Sequence, residues 1–117
     1  MKLIVAIIRP ETLEAVQMAL AERDVYLMTV TDVRGCGRQR GFTEVYRGAE
    51  VTIRLVPKVK LEIAVNEPFV EATIEAIVHA ARTVPSGQIG DGKIFVLPLE
   101  DCVRIRTGER GGVAIGP

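Results

Sequence analysis

The sequence predicts a two-layer α+β domain, an antiparallel sheet with both of its helices on one face. Three observations lead there. A β-branched apolar run opens the chain at residues 2–9. Two stretches with apolar residues at helical spacing follow, introduced by Pro10 and Pro68. Segments of extended character lie before, between and after them, in the order strand, helix, strand, strand, helix, strand.

Each element has its own signature. Residues 2–9 form a continuous apolar run bounded by Pro10, which fits a strand covered on at least one face. Pro10 suits the first turn of a helix. Leu13, Val16 and Leu20 then recur at helical spacing, with Glu11, Glu14 and Glu22 outside. Residues 25–34 return to extended character, interrupted by Thr29, Thr31 and Asp32. From Gly35 to about Leu55 the chain changes: four glycines (Gly35, Gly37, Gly41, Gly48), many charges and little periodicity. A loop of that length inside a compact domain is usually functional or disordered. Residues 58–65 alternate charged and apolar side chains, so this strand buries one face. Asn66-Glu67-Pro68 introduces the second helix, with Val70, Ile74, Ile77, Val78 and Ala81 inward and Glu71, Glu75 and His79 outward. A second loop over about 83–92 holds Pro85 and three glycines; Lys93–Leu97 and Val103–Ile105 complete the extended set before a Gly-rich tail.

This order matches the ferredoxin-like split βαβ arrangement, βαββαβ. All 117 residues suit a single domain. A sheet covered on one face leaves the other open, and the apolar strands imply that it is buried between subunits of a homo-oligomer.

Composition narrows the partners. Hydrophobic residues make up 48% of the chain, with three Phe, two Tyr and no Trp, so the core is mostly aliphatic. Fifteen acids balance fifteen bases, so no global field draws the protein to nucleic acid. Between Arg34 and Lys60, seven bases face only two acids, Glu44 and Glu50; a solvated basic loop alone accounts for such a cluster. Cys36 and Cys102 form no metal spacing and suit a reducing compartment. The opening apolar run of about six residues is too short for a membrane span, so the expected location is cytoplasmic. His79 has no evident acid–base partner, and no nucleophile–base set or carboxylate pair suggests an enzyme.

The densest chemical signal is Gly90-Asp91-Gly92-Lys93 followed by Arg104 and Arg106. Alone, the first group is a tight turn before a strand with a solvated lysine. With two arginines of the same parity on a second extended segment, it becomes a cradle for a phosphate chain. Turn amides satisfy phosphate oxygens, and arginine binds them bidentately.

Four motifs in order carry a resemblance: TVTDVRGCGRQRGFTEVYRGAEV at 29–51, KVKLEI at 58–63, GDGKIFV at 90–96 and RIRTGER at 104–110. They resemble the PII signal-transduction proteins of GlnB and GlnK type, over essentially the whole chain. The TGER ending and Gly-rich tail look more like GlnK. The resemblance implies a ferredoxin-like homotrimer with intersubunit sites for ATP or ADP. It implies a T-loop over about 37–55, a B-loop over about 83–92 and a C-terminal loop over about 104–117. The implied nucleotide site comprises Ile7, Thr29, Gly35, Cys36, Gly37, Arg38, Gln39, Glu62, Ala64, Gly90, Asp91, Gly92, Lys93, Arg104 and Arg106. The implied 2-oxoglutarate site comprises Arg9, Gln39, Arg40, Gly41, Lys58 and Gly90. Gln39 is the implied ligand of Mg²⁺, a hard cation suited to an amide oxygen. Tyr46, Arg47 and Gly48 at the loop tip are the implied contacts to a nitrogen-metabolism target, an ammonium transporter first among them. Docking there places the protein at the inner membrane periphery.

Two departures stand out. Many family members carry a modifiable tyrosine where this chain has Val51, and others a phosphorylated serine where it has Ala49. Neither hydroxyl exists here, which excludes covalent switching at those two positions. Against the family pattern TGxIGDGK, Val84-Pro85-Ser86 look like three extra residues in the loop before Gly87. Two other functions fit parts of the pattern: a slow ATPase using the same phosphate site, and a structural ferredoxin-like trimer with no need for Lys93, Arg104 and Arg106 together.

Overall fold

The computed structural model of the chain describes residues 1–36 and 54–116. Four strands, β1 (Lys2–Ile8), β2 (Thr29–Gly35), β3 (Val56–Val65) and β4 (Gly92–Pro98), alternate with α1 (Leu13–Ala21) and α2 (Val70–Ala81) in the expected order. The sheet runs β2-β3-β1-β4, with every pair antiparallel. This is the ferredoxin-like arrangement.

Local chemistry sets the helix boundaries. A single 3₁₀ turn, Pro10–Thr12, leads into α1, and Thr12 donates through both its N–H (3.0 Å) and its Oγ1 (2.8 Å) to the Arg9 carbonyl. The helix stops where Asp24 adopts a positive φ of 61° and the Val25 N–H returns to the Leu20 carbonyl at 3.0 Å. Glu67–Phe69 forms the matching 3₁₀ turn before α2.

The core lies between the helices and one face of the sheet. Ile4, Ala6 and Ile8 of β1 and Val59, Leu61, Ile63 and Val65 of β3 alternate inward. They meet Val16 and Leu20 of α1 and Val70, Ala76, Ile77 and Ala81 of α2. Each large aliphatic side chain buried this way contributes about 1.5–3 kcal/mol. Glu71, Glu75 and His79 are exposed as expected. Thr73 is a buried member of the inner stripe that apolar periodicity misses; its hydroxyl donates to the Phe69 carbonyl at 2.7 Å, which satisfies it. Among the described residues no helix is long and apolar enough to cross a membrane.

The other sheet face is open. Its rows run Thr31-Lys60-Ile7-Lys93, then Thr29-Glu62-Val5-Phe95, then Ala64-Leu3-Leu97. Phe95 and Leu97 are 50% and 42% exposed there.

Four assignments differ from expectation, the first being that β3 begins at Val56, two residues before Lys58. Residues 25–28 are irregular, because the chain needs them to climb from the end of α1 to the sheet edge, and β2 starts at Thr29. Val103–Ile105 is not a strand: Val103 makes one isolated bridge, to Arg110, around a turn closed by Arg104 and Gly108. Gly108, with φ of 73° and open space around it, permits that reversal. The Gly-rich tail contains a short helical turn, α3 (Gly112–Ile115).

Candidate functional site

The turn before β4 is pressed hard against β1. Gly92 pairs with Ile8 and has φ of 112°. A Cβ there would stand 1.8 Å from the Ile7 carbonyl oxygen, so no side chain fits. Glycine therefore fixes how closely this turn approaches the sheet, and the next residue, Lys93, emerges on the open face beside Ile7. The turn is anchored from two sides. Lys58 Nζ donates to the Gly90 carbonyl at 2.6 Å, and Arg9 Nη2 donates to the Ile89 carbonyl at 2.9 Å. Lys58 is only 9% exposed. Burial, and then the Arg9 charge, push its ammonium pKa down, against the opposing pull of Glu11 and Asp91.

Asp91 holds the loop together from inside. Its carboxylate accepts from Arg9 Nε (3.2 Å), Thr83 Oγ1, the Thr83 N–H (3.0 Å) and the Gln88 N–H (2.8 Å). Desolvation works to raise its pKa. The donors, led by the Thr83 hydroxyl, outweigh that and hold the carboxyl well below the usual range. Two clefts flank this loop. One of about 500 Å³ is lined by Arg9, Glu11, Val56, Lys58, Gln88 and Ile89. The other, of about 550 Å³, runs from the end of α2 (Ile77, Ala81, Arg82) under Gly87 to Gly92 and Lys93.

Arg104 and Arg106 belong to a different place. Their hairpin is closed by Asp101, whose carboxylate accepts from Arg110 Nε (2.8 Å) and Nη2 (2.6 Å) and from the Cys102 and Gly111 N–H groups. The Arg110 hydrogen bond, then that of Cys102, holds the Asp101 carboxyl below its ordinary value. Arg104 donates to Glu109 Oε1 at 2.6 Å and to the Val113 carbonyl at 2.7 Å. Asn66, just past β3, ties the segment down through the Gly112 and Gly116 carbonyls, each at 3.1 Å. The hairpin thus sits at the Lys2–Val65 end of the sheet, whereas Lys93 sits at the Ile7 end. Pro98 lies five residue steps beyond Lys93 along β4, about 17 Å at the usual rise. Within one chain the three cations expected to share a phosphate do not meet.

The remaining expected residues divide by position. Ile7, Thr29, Glu62 and Ala64 share the open face with Lys93; Thr29 and Glu62 are cross-strand partners, and Lys60 pairs with Glu62 at 3.8 Å. Gly35 ends β2 and Cys36 follows it, exposed and free. Gly37, Arg38, Gln39, Arg40, Gly41, Tyr46, Arg47 and Gly48 lie outside the described residues. Among the described residues no group of three His, Cys, Asp or Glu side chains forms a cation site. Sequence reasoning missed Thr83, Asp101 and Glu109. No local pattern marks them, because the side chains they pair with, Asp91, Arg110 and Arg104, stand eight, nine and five residues away across turns whose geometry periodicity does not encode.

The comparisons agree with this architecture. The family model described as nitrogen regulatory protein P-II matches residues 1–109. The chain is 55% identical to nitrogen regulatory protein P-II of Azospirillum brasilense over 115 residues, which covers 98% of this chain and all of that protein. It is 55% identical to nitrogen regulatory protein P-II 2 of Methanothermobacter thermautotrophicus, covering 98% of this chain and 97% of the relative. Nitrogen regulatory protein GlnK1 of Methanosarcina mazei is 50% identical at the same coverage. A glycine-locked turn, a second cationic hairpin at the far end of a ferredoxin-like sheet, and identity of this level along the full length together place the chain in the P-II nitrogen regulatory family.

Proposed function

We propose that this chain is a homotrimeric, non-enzymatic sensor that binds ATP or ADP, and 2-oxoglutarate together with Mg-ATP, and controls a nitrogen-metabolism partner through residues of the 37–55 loop. The observation that carries this is the separation of Lys93 from Arg104 and Arg106 at opposite ends of one sheet. A triphosphate draws on all three only if one protomer lends the glycine turn and its neighbour the arginine hairpin. The open face, with Phe95 and Leu97 exposed in the single chain, supplies an apolar surface for that neighbour.

The cradle suits phosphate. The space a Cβ would fill at Gly92 is taken by backbone, leaving turn amides and Lys93 at the rim. Gln39 would contribute an amide oxygen to Mg²⁺, which otherwise draws on phosphate oxygens and water. The buried Lys58 ammonium, beside a cleft of about 500 Å³, suits the distal carboxylate of a small dicarboxylate. Hydrolysis is poorly served, because the Asp91 carboxylate has each oxygen engaged by two donors and is held ionised without a free lone pair for a water. Conformational coupling then follows from position: ligands at Gly90, Lys58 and residues 37–41 gather the base of the target-binding loop. An ammonium transporter is the leading target, with the protein cytoplasmic and peripheral to the inner membrane when docked.

Calorimetry tests the assignment. ATP and ADP each bind the wild-type trimer, and Mg-ATP raises 2-oxoglutarate affinity at least tenfold. Arg104→Ala weakens nucleotide binding while sedimentation still shows a trimer. Unchanged nucleotide affinity in that variant removes the cradle. A pull-down repeated with ADP and with ATP plus 2-oxoglutarate identifies the target.

A further inference from the structure

One carboxylate closes the loop that precedes β4. Each Asp91 oxygen takes two donors, Arg9 Nε and Thr83 Oγ1 on Oδ1 and the Thr83 and Gln88 N–H groups on Oδ2. That fills the acceptor directions a carboxylate offers. The residues on either side, Gly90 and Gly92, are the ones whose backbone shapes the cradle, while the Asp91 side chain is spent inward. Arg9 is spent in the same way, with Nε on Asp91 and Nη2 on the Ile89 carbonyl. Between the two stapled points the chain bulges outward. Val84 is 84% exposed and Pro85 and Ser86 are exposed, and the neck is drawn shut by the Gly87 N–H donating to the Thr83 carbonyl at 2.6 Å.

We propose that Asp91 and Arg9 are positioning residues, acting on a bound triphosphate only by holding the Gly90–Lys93 turn in place, and that the same staple sets the Val84–Ser86 bulge apart from the cradle, with only Ser86 reaching the cleft beside Gly92 and Lys93. This rests on the nucleotide assignment above. It assigns Arg9 to the turn rather than to the dicarboxylate, and it makes the bulge removable without loss of the phosphate site. A carboxylate next to a triphosphate is repulsive unless its charge is neutralised by fixed donors, and four such donors surround Asp91.

The test is calorimetry of Mg-ATP, and of 2-oxoglutarate at saturating Mg-ATP, on wild type, Asp91→Asn, Arg9→Gln, the double variant, a deletion of Val84–Ser86, and Lys93→Ala. Amide exchange at Gln88 in nucleotide-free protein runs alongside. Asp91→Asn places an NH₂ group against donors. It is expected to weaken ATP binding roughly tenfold and to speed exchange at Gln88 by a similar factor. Arg9→Gln weakens ATP binding in the same direction, and the double variant costs less than the sum of the two singles, because the pair shares the Arg9–Asp91 contact while Arg9 also holds Ile89 and Asp91 also holds Thr83 and Gln88. The deletion keeps ATP affinity within about threefold of wild type. Thr83→Val, which removes one of the four donors, gives a smaller loss in the same direction and stands in if Asp91→Asn does not fold. The proposal is overturned if Arg9→Gln abolishes 2-oxoglutarate binding with ATP affinity intact, or if the deletion costs as much as Asp91→Asn. Unaltered Gln88 exchange in Asp91→Asn and Thr83→Val also overturns it. Wild type that binds no ATP refutes the nucleotide assignment instead, and the exchange measurement then decides the staple by itself.

Discussion

Gly92→Ala is the sharpest single perturbation of this fold. The new Cβ would lie 1.8 Å from the Ile7 carbonyl oxygen and 2.9 Å from its carbon. Real Cβ contacts do not fall below 3.0 Å, so the β1 and β4 backbones must part by more than an ångström at the Gly92–Ile8 pair. The obstacle is backbone, and no side-chain rotation relieves it. Separation of that size opens the last ladder hydrogen bonds between β1 and β4, at about 1 kcal/mol each. An alanine held at φ of 112° adds about 1–2 kcal/mol of its own. The expected loss is therefore roughly 2–4 kcal/mol. At about 4 °C per kcal/mol for a chain of this size, Tm falls by roughly 8–16 °C, read by far-UV circular dichroism at fixed protomer concentration. Nucleotide affinity falls at least tenfold in calorimetry below the transition, because the displaced turn carries Gly90 and Lys93. Gly108→Ala is the control: its Cβ meets nothing within 4 Å, so only the positive-φ penalty of about 1 kcal/mol applies. Equal Tm shifts in the two variants, or a Gly92→Ala protein with wild-type affinity, would refute the claim that close backbone approach builds the cradle.

Leu61, fully buried at the centre of β3, loses about 2–5 kcal/mol on Leu61→Ala, measured by urea unfolding. Phe95→Glu places a charge on the open face where the single chain leaves the ring half exposed; sedimentation shows dissociated protomers that keep native far-UV dichroism. The Asp91 carboxyl has a folded-state pKa depressed below its ordinary value. Its stabilisation is therefore fully present above the unfolded pKa of about 4 and is lost as pH falls through the lower folded value. The stability gap between wild type and Asp91→Asn, followed by urea unfolding across pH, is flat at neutral pH and closes on acidification below about 4.

The strand–helix plan was legible because its signals are local and periodic. The inward alternation of β3 and the spacing of Val16 and Leu20 in α1 each follow from a single repeat. Thr73 escaped because a hydroxyl that returns to its own helix behaves as apolar, which no hydropathy pattern registers. The hairpin at 103–110 escaped for a different reason. Alternation in RIR is shared by strands and by turns, and only the Asp101–Arg110 pair, nine residues apart, decides between them. Likewise GDGK announced a glycine turn, yet that Asp91 faces inward depends on Thr83 and Arg9, which no spacing rule connects. Candidate residues could be named from the sequence by type; that Lys93 and the Arg104 hairpin stand at two ends of the sheet required the register.

That division has a thermodynamic consequence. A phosphate site assembled within one chain would leave subunit association indifferent to nucleotide. Here the glycine turn stands at the Ile7 end and the arginine hairpin at the Lys2 end, so a ligand that engages both binds the assembled form alone. By linkage it must then strengthen assembly, by about 2.7 kcal/mol per site at a hundredfold excess over Kd. Arg104 in the single chain gives Nη1 to Glu109 and Nη2 to the Val113 carbonyl, which leaves further N–H donors for the phosphate of the proposed ligand. On the function proposed above, charge then favours the ligand that brings more phosphate oxygens to the arginine.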